Sequence, residues 1–564
     1  MLMIETGQTK LSRSETLKES NPTLAGTIAA TLEDVAAEKF SEDDAQFLKF
    51  HGVYQQDDRD KRKEGKQYIL MVRGRIPGGV LTREQYLKFD ELADRYGNGT
   101  LRISSRQGFQ FHKVVKGGLR PLVKAINEAM LTTLAACGDV VRNVMSPPTP
   151  STSAVTELLL EDARRLSQQL LPKTPAYHAI WLDGVQLDLN APENKDFVDP
   201  LYGKTYLPRK FKIGFAMPPV NDVDIFADCI GFIAIADGEK LHGYNMTAGG
   251  GQGMSHGNAA TYPRLADVVG FITREQVDSA ARAAVEIHRD FGDRANRKHA
   301  RLKYLIEERG VDWFRGEVER RTGWKFEPAR PFRFTSQGDM FGWHRQYDGR
   351  EFLCLFVETG RLCDRPGRRL KTALRTIVSQ FECEIRLTPA NNLILANVRP
   401  ADREAITRIL AEHGVPVENQ ASMARLGSMA CVSLPTCGLG LAESERYLPS
   451  FMTELERVLD AAGLGGQEIS IRMTGCPNGC ARPYLAEIGL VGKAPGKYNI
   501  LLGGNATGTR LNRLYKENVK DSDLAAELAP LLNRYARERV EGERFGDWCA
   551  RVIWPETNAA PWKS

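Results

Sequence analysis

LRISSRQGFQFHKV at 101–114 and IRLTPANNLILANV at 385–398 carry one pattern twice. Each opens apolar, arginine, apolar, hydroxyl, and each closes on alternating apolar positions. Alternation at a period of two marks a half-buried strand. Leu101–Val115 and Glu384–Val398 are therefore each predicted as a strand, and the likeness between them predicts a duplicated fold.

The surroundings repeat as well. Before the first copy, Tyr68–Ile76 reads as a buried strand and Pro77-Gly78-Gly79 as a turn. Thr82 with Gln85 is a capping-box pattern. It opens a helix with Tyr86, Phe89, Leu92, Ala93 and Tyr96 at helical spacing, and Gly97-Asn98-Gly99 closes it. Before the second copy, Phe352–Glu358 is strand-like, Gly360-Arg361 echoes Gly74-Arg75, and Leu370–Phe381 is helical in pattern.

A second, weaker pair lies farther along. KFKIGFAMPPVND (210–222) precedes GYNMTAGGGQG (243–253), and ISIRMTGCPNGC (469–480) precedes YNILLGGNATG (498–508). Each has a basic strand, a proline-bearing turn and a later glycine-rich strand end. The chain thus reads as two copies of a two-part unit, an α+β molecule with pseudo-two-fold symmetry and a site between its halves. GYNMTAGGGQG lacks the Lys-Ser/Thr of a phosphate loop, so tight backbone packing is the expectation there.

Bulk properties exclude several classes. The 564 residues are 42% hydrophobic, enough for several cores. Seventy-six basic against 71 acidic residues leave a formal charge of +5 spread along the chain. That balance points to neither nucleic acid nor a membrane surface. The start has no secretory core, and apolar runs such as Cys229–Ala236 are far shorter than the roughly 20 residues of a membrane span. A soluble cytoplasmic protein is expected. Residues 1–67 read as a polar N-terminal arm, solvated or docking a partner, ending in the charge run His51–Lys66.

Ten cysteines in so long a chain are too few for a disulfide scaffold. Four gather: Cys431 and Cys437 as C-x5-C, Cys476 and Cys480 as C-x3-C. The first spacing is too wide for an ordinary zinc knuckle, and neither matches common ferredoxin runs. Spacing alone leaves an iron–sulfur cluster, zinc or unliganded buried cysteines open, with the cluster favoured. Pro435, Pro477, Gly475 and Gly479 let the chain bend around a bulky group. Cys137, Cys229, Cys354, Cys363, Cys383 and Cys549 form no close pair and are expected in the core.

C-x5-C followed by TGCPNGC resembles the signature of the siroheme-dependent sulfite and nitrite reductases. FHGVYQQDDRD (50–60), RGRIPGG (73–79), RNV (142–144), YLPRKFK (206–212) and SMACVSL (428–434) extend the likeness over nearly the whole chain. It is closest to assimilatory sulfite-reducing members that are fed by an NADPH-dependent flavoprotein and serve cysteine biosynthesis. The resemblance implies paired ferredoxin-like half-domains at 68–134 and 342–417. It also implies two α/β catalytic domains around a central siroheme: 135–341 for siroheme and substrate, 418–564 for the cluster. The implied cofactors are siroheme and a 4Fe–4S cluster. Cys431, Cys437, Cys476 and Cys480 would hold the cluster, and Cys480 would also ligate the siroheme iron.

Further roles follow from the same likeness. Arg73, Arg142, Lys210 and Lys212 would face the substrate oxyanion. A guanidinium presents a fixed fork to oxygens, and a lysine in a crowded cationic site gives up its proton readily, so the arginines read as clamps and the lysines as acids. Alone, Arg73 reads as a strand-edge surface charge. Arg102, Ser104 and Arg106 on one strand face, with Gln110, His112, Arg209, Arg301 and Lys303, would line the siroheme, whose carboxylates need donors. Arg301 stands where lysine is typical. Ala390-Asn391 replaces a longer amide pair, which puts one bond to the heme in doubt. No flavin or NADPH fingerprint is present, so electrons are expected from a separate flavoprotein. Nitrite reduction, ferredoxin as donor, and a zinc-stabilised scaffold are the rival readings.

Overall fold

The computed structural model describes residues 10–150, 153–174, 176, 181–182, 185–186 and 196–555. Four principal sheets build it, in two pairs of like topology. The first half-domain sheet joins Val53–Asp57, Tyr68–Arg73, Gly108–Val114 and Leu101–Ser104, all antiparallel. The second joins Gly342–Arg345, Glu351–Leu355, Leu393–Val398 and Glu384–Leu387 in the same order.

Each half-domain lends its neighbour a strand. Val80–Leu81 pairs with Ile385 and Arg386 of the second sheet, and Arg361–Leu362 pairs with Leu101 and Arg102 of the first. The exchange gives both halves one continuous apolar core, with Leu101 and Phe109 in the same cluster as Leu353 and Leu395. The helix Arg83–Tyr96, capped by Thr82 and Gln85 as its sequence predicts, buries Tyr86, Phe89, Leu92 and Ala93. Large apolar side chains contribute ~1.5–3 kcal/mol each on full burial, so this face outweighs the cap, worth ~1 kcal/mol.

Both predicted single strands are hairpins. Ser105–Gln107 interrupts the first copy, and Thr388–Asn392 the second. The alternation is real but changes strand at the turn. Arg102 and Ser104 therefore share one strand, while Arg106 lies in the turn instead of on their face. Strand register also corrects the Gly74–Gly360 match: Arg73 opposes Gln110 where Cys354 opposes Ile394. Counting on from those pairs, Gly360 falls opposite Gly79. Both glycines adopt positive φ, +76° and +75°.

The remaining two sheets carry the weaker repeat. Ile213–Ala216 runs parallel to Ile230–Asp237, which pairs antiparallel with Lys240–Ala248 and through it with Asp267–Ile272. Ile471–Thr474, Ile488–Ala494, Lys497–Leu502 and Arg513–Lys520 repeat this order, and Ser428–Ala430 adds a parallel edge strand. Gly250 lies where a Cβ would strike the carbonyls of Phe226 and Asp228, so the glycine-rich stretch is indeed a close-packing element.

Residues 10–57 are not a solvated arm. They form helices Arg13–Ser20, Ile28–Glu33 and Glu42–Phe50 and an edge strand, and Phe40, Phe47, Leu48 and Phe50 enter the cores. Buried Lys18 bonds Glu15 at 2.6 Å and the Leu207 carbonyl at 2.7 Å, fixing the first helix to the body. Among the described residues no helix is long and apolar enough to cross a membrane.

Candidate active site

The two cysteine motifs leave the same end of a parallel strand pair. Ser428–Ala430 delivers Cys431, and Ile471–Thr474 delivers Gly475 and Cys476. The Cys431 amide donates to the Met473 carbonyl at 3.2 Å, locking the loops together. The Gly475 amide donates to Cys431 Sγ at 3.4 Å, and Asn478 Nδ2 to Cys476 Sγ at 3.4 Å. A Cβ on Gly475 would collide with the Ser433 side chain and the Ala442 carbonyl. Gly479, at φ +63°, turns the chain between Cys476 and Cys480.

The thiols influence one another's ionisation. Burial raises Cys431 well above the ordinary thiol range, and charge on Cys480 and Cys476 raises it further. Burial and then Cys480 raise Cys437 in the same way, and bring Cys476 to about 11. Sulfurs that so oppose one another's ionisation need a cationic centre among them to ionise together. Among the described residues no three His, Cys, Asp or Glu side chains converge closely enough to hold a single ion.

A cationic pocket adjoins the thiols. Arg73 ends its strand opposite Gln110; with the amide turned to satisfy both groups, the Gln110 oxygen accepts from Arg73 Nε at 3.1 Å and Nη2 at 2.6 Å. Arg73 Nη1 reaches Cys137 Sγ at 3.1 Å. Arg142 bonds the Gly138 carbonyl at 3.3 Å and lies against Tyr54. The Phe211 amide bonds the Val140 carbonyl, which sends the Phe211 ring into the core and Lys210 and Lys212 to the opposite face. The two lysines alternate as expected, although both precede the strand Ile213–Ala216.

Burial lowers Lys210 well below the usual ammonium range, with Arg142, Arg301 and Lys212 adding to it. Burial also lowers Lys212, to about 7; Asp228 opposes the fall while Arg106 and Arg301 favour it. His112 is held well below its ordinary value by burial and then by Arg361, so it is neutral. Cys137 and Cys229 are fully buried in the core as expected, and they also border these cations; Arg301 Nη2 lies 3.6 Å from Cys229 Sγ.

The predicted heme-lining residues divide by what their donors already hold. Arg106 bonds Asp228 at 2.9 and 3.1 Å, the Asn143 carbonyl at 2.6 Å and the Ile213 carbonyl at 2.9 Å. Arg102 bonds Ala430 at 2.7 Å and Glu445 at 3.2 Å. Lys303 bonds the Gly251 and Gly253 carbonyls at 3.3 and 2.9 Å. Ser104 Oγ accepts from Gly108 at 3.2 Å and shapes the turn. These four are tied to the protein. Arg209 is partly exposed, 4.0 Å from Asp139. Buried Arg106 Nε, Arg301 Nε and the Gln252 amide have no protein partner among the described residues. Orphaned buried polar groups are costly, and the carboxylates of a siroheme would satisfy such donors, so the residues fit the group.

The thiols and the cations meet at one turn. Ser105 Oγ donates to the Cys480 carbonyl at 2.8 Å, and the next residue is Arg106. The Met254 amide bonds the Pro477 carbonyl at 2.9 Å, bringing in the Gly249–Gly253 segment. Sequence reading missed Tyr54, Cys137, Asp228, Glu445 and Arg482. Their partners are distant in the chain or lie in irregular loops, so no local pattern shows the contacts they make.

Paired ferredoxin-like half-domains and two like sheets, with two cysteine-bearing loops beside a group of cations, are the architecture of an oxidoreductase. The family model "Nitrite and sulphite reductase 4Fe-4S domain" matches residues 161–326, and "Nitrite/Sulfite reductase ferredoxin-like half domain" matches 61–129 and 344–413. The 4Fe-4S model thus falls on the copy without the cysteine motifs, whose topology the cysteine-bearing copy repeats. The chain is 52% identical over 548 residues to a protein of Myxococcus xanthus named "Sulfite reductase [NADPH] hemoprotein beta-component", covering 96% of each. It is 47% identical to the Staphylococcus saprophyticus protein of that name, again covering 96% of each. The Mycobacterium tuberculosis NirA structure superposes with a TM-score of 0.78 at 22% identity, over 97% of each chain, and shares the fold. The chain belongs to the nitrite and sulfite reductase family.

Proposed function

We propose that this chain reduces sulfite to hydrogen sulfide, taking electrons from an NADPH-dependent flavoprotein subunit. The observation that carries the reading is the Ser105–Cys480 bond, which joins the four-thiol cage to the cationic pocket. Cys431, Cys437, Cys476 and Cys480 would hold a 4Fe–4S cluster, with Cys480 shared by a siroheme. When bound, the coupled centre supplies the electrons for sulfite reduction.

The chain's own residues bind the anion and supply protons. Arg73 and Arg142 are the oxyanion clamps, the Arg73 guanidinium oriented by Gln110 and Cys137 and that of Arg142 by the Gly138 carbonyl. Each S–O bond broken leaves an oxygen that takes up protons before it departs as water. Buried Lys212 releases its proton near neutral pH, and Lys210, held by burial and then by Arg142 well below the usual ammonium range, gives up its proton readily. Residues 135–341 would carry most of this anion site, and 418–564 the cysteines. All ten cysteines are free, which accords with a reducing, cytoplasmic setting.

The deciding experiment is an absorption spectrum of protein purified from siroheme-producing cells, with iron and acid-labile sulfide quantified. Sulfite and nitrite turnover with the flavoprotein partner is then compared. Siroheme bands, labile sulfide and faster sulfite turnover are expected. A colourless, zinc-containing protein would overturn the reading.

A further inference from the structure

Arg482 and Asp224 are equivalents in the duplicated sheets that have become partners. Asp224 follows the strand Ile213–Ala216 and Arg482 the strand Ile471–Thr474. The same interval separates Gly231 from Gly489, which occupy matching places in the parallel pairs. Both residues are left-handed, at φ +52° and +54°. Each immediately precedes a three-residue 3-10 turn, Ile225–Ala227 or Pro483–Leu485. Arg482 Nε donates to Asp224 Oδ2, and Arg472 donates to the same oxygen at 2.7 Å.

The rest of the Arg482 guanidinium reaches both half-domains symmetrically. Nη1 donates to the Ser105 carbonyl at 3.0 Å, and Nη2 to the Pro389 carbonyl at 3.0 Å. Ser105 and Pro389 are equivalent turn residues of the two repeated hairpins. One side chain therefore lies where all four sheet-bearing units meet, on the pseudo-two-fold axis. It is two residues beyond Cys480, whose carbonyl accepts from the same Ser105. Asp224, buried and opposed by its own desolvation, is held in the charged form by Arg472 and Arg482.

A clamp of this kind is more than a core tie. Its bond to the Ser105 carbonyl fixes the Ser105–Arg106 turn against the second hairpin, held through Pro389, and the Ser105 hydroxyl fixes the Cys480 main chain. We propose that Arg482 is a positioning residue for Cys480, setting how the Cys480 sulfur is presented to the redox centre. This rests on Cys480 as the shared ligand. The three acceptors lie along the fixed, divergent directions of a planar fork, a spread that the compact ammonium of lysine does not reproduce.

The test is an anaerobic redox titration of the full-length, cofactor-loaded chain, with optical and electron-paramagnetic spectra, on Arg482→Lys and Ser105→Ala. Arg386→Lys is the control, a buried arginine paired with Glu157 at 2.9 Å and Glu384 at 2.7 Å, away from the cysteines. Arg482→Lys and Ser105→Ala are expected to keep siroheme and labile sulfide while moving the heme spectrum and midpoint potential in the same direction. The kcat should fall on the order of tenfold to a hundredfold, with sulfite KM little changed, as small misplacements do. Arg386→Lys should lower the melting temperature and leave the potential alone. Wild-type spectra and potential in Arg482→Lys would make it a structural tie and overturn the proposal. Should Arg482→Lys not fold, Ser105→Ala decides alone, an unchanged signature overturning it. Cys480→Ser checks the underlying reading separately: if it keeps the wild-type heme signature, Cys480 is not the shared ligand.

Discussion

Arg361 Nε donates to Glu445 Oε1 at 2.7 Å, so a strand lent by one half-domain to the other is bonded to the cysteine-bearing unit. Arg102 completes the node from the first half-domain at 3.2 Å. Burial works to raise the Glu445 pKa, but Arg361 and Arg102 outweigh it and hold it at about 2. The folded value lies below the unfolded one, roughly 4.3 for a free glutamate. The stabilisation is thus fully present above the unfolded value and is lost as pH falls towards about 2. Melting temperatures should decline through that window. Glu445→Gln should flatten the decline and cost about 3–5 kcal/mol at neutral pH, because two buried arginines lose their counter-charge. An unaltered acid profile in Glu445→Gln would remove Glu445 from the account.

Lys212 loses its charge as pH rises through about 7. A cation that helps hold an anionic substrate then disappears, so sulfite KM should climb above neutral pH. Lys212→Arg keeps the charge and should abolish that climb while lowering kcat, since a guanidinium does not release its proton. Steady-state kinetics across the range check both parts. A climb that persists in Lys212→Arg assigns the titration to another group.

Gly79 and Gly360 guard the strand exchange. A Cβ on Gly79 would lie 2.6 Å from the Leu387 carbonyl, and one on Gly360 3.0 Å from the Ile103 carbonyl. Gln107 and Asn391 reach the same two carbonyls at 3.1 and 2.9 Å. Alanine at either glycine should cost at least about 1–3 kcal/mol from the left-handed backbone alone. Thermal melts of Gly79→Ala and Gly360→Ala should show similar losses, because the sites are equivalent.

The cysteines should separate cleanly by location. Cys431→Ser and Cys476→Ser are expected to lose acid-labile sulfide. Cys354→Ser, a buried change in the second half-domain, should retain it. Iron and sulfide assays on the purified variants provide the check. Full labile sulfide in Cys431→Ser would refute the four-thiol cage.

Much of the fold was legible because duplication writes the same periodicities twice. The capping box at Thr82 and Gln85, the apolar face of its helix and the repeated alternation at 101–114 and 385–398 are local patterns. Strand exchange was not legible: Val80–Leu81 reads as the end of a turn, and its pairing with Ile385 and Arg386 is a contact across some 300 residues. The N-terminal segment misled for the same reason. Lys18 and Glu15 look solvated in sequence and are buried only because they pair with each other and Lys18 bonds the Leu207 carbonyl.

The sequence by itself determined the four-cysteine spacing, the basic residues of 206–212 and the repeat, since each depends on residue type at short separation. Tertiary structure alone decided which cations remain available to an anion and which are tied down. Arg106 and Lys303 have the same composition-level signature as Lys212, yet carbonyls and Asp228 claim the Lys303 ammonium and both terminal nitrogens of Arg106, leaving only Arg106 Nε. It alone also decided that Arg482 meets Asp224 and both hairpin turns. A guanidinium's role is set by the acceptors within three ångströms or so of its nitrogens. Here folding gathers those acceptors from three separate stretches of chain.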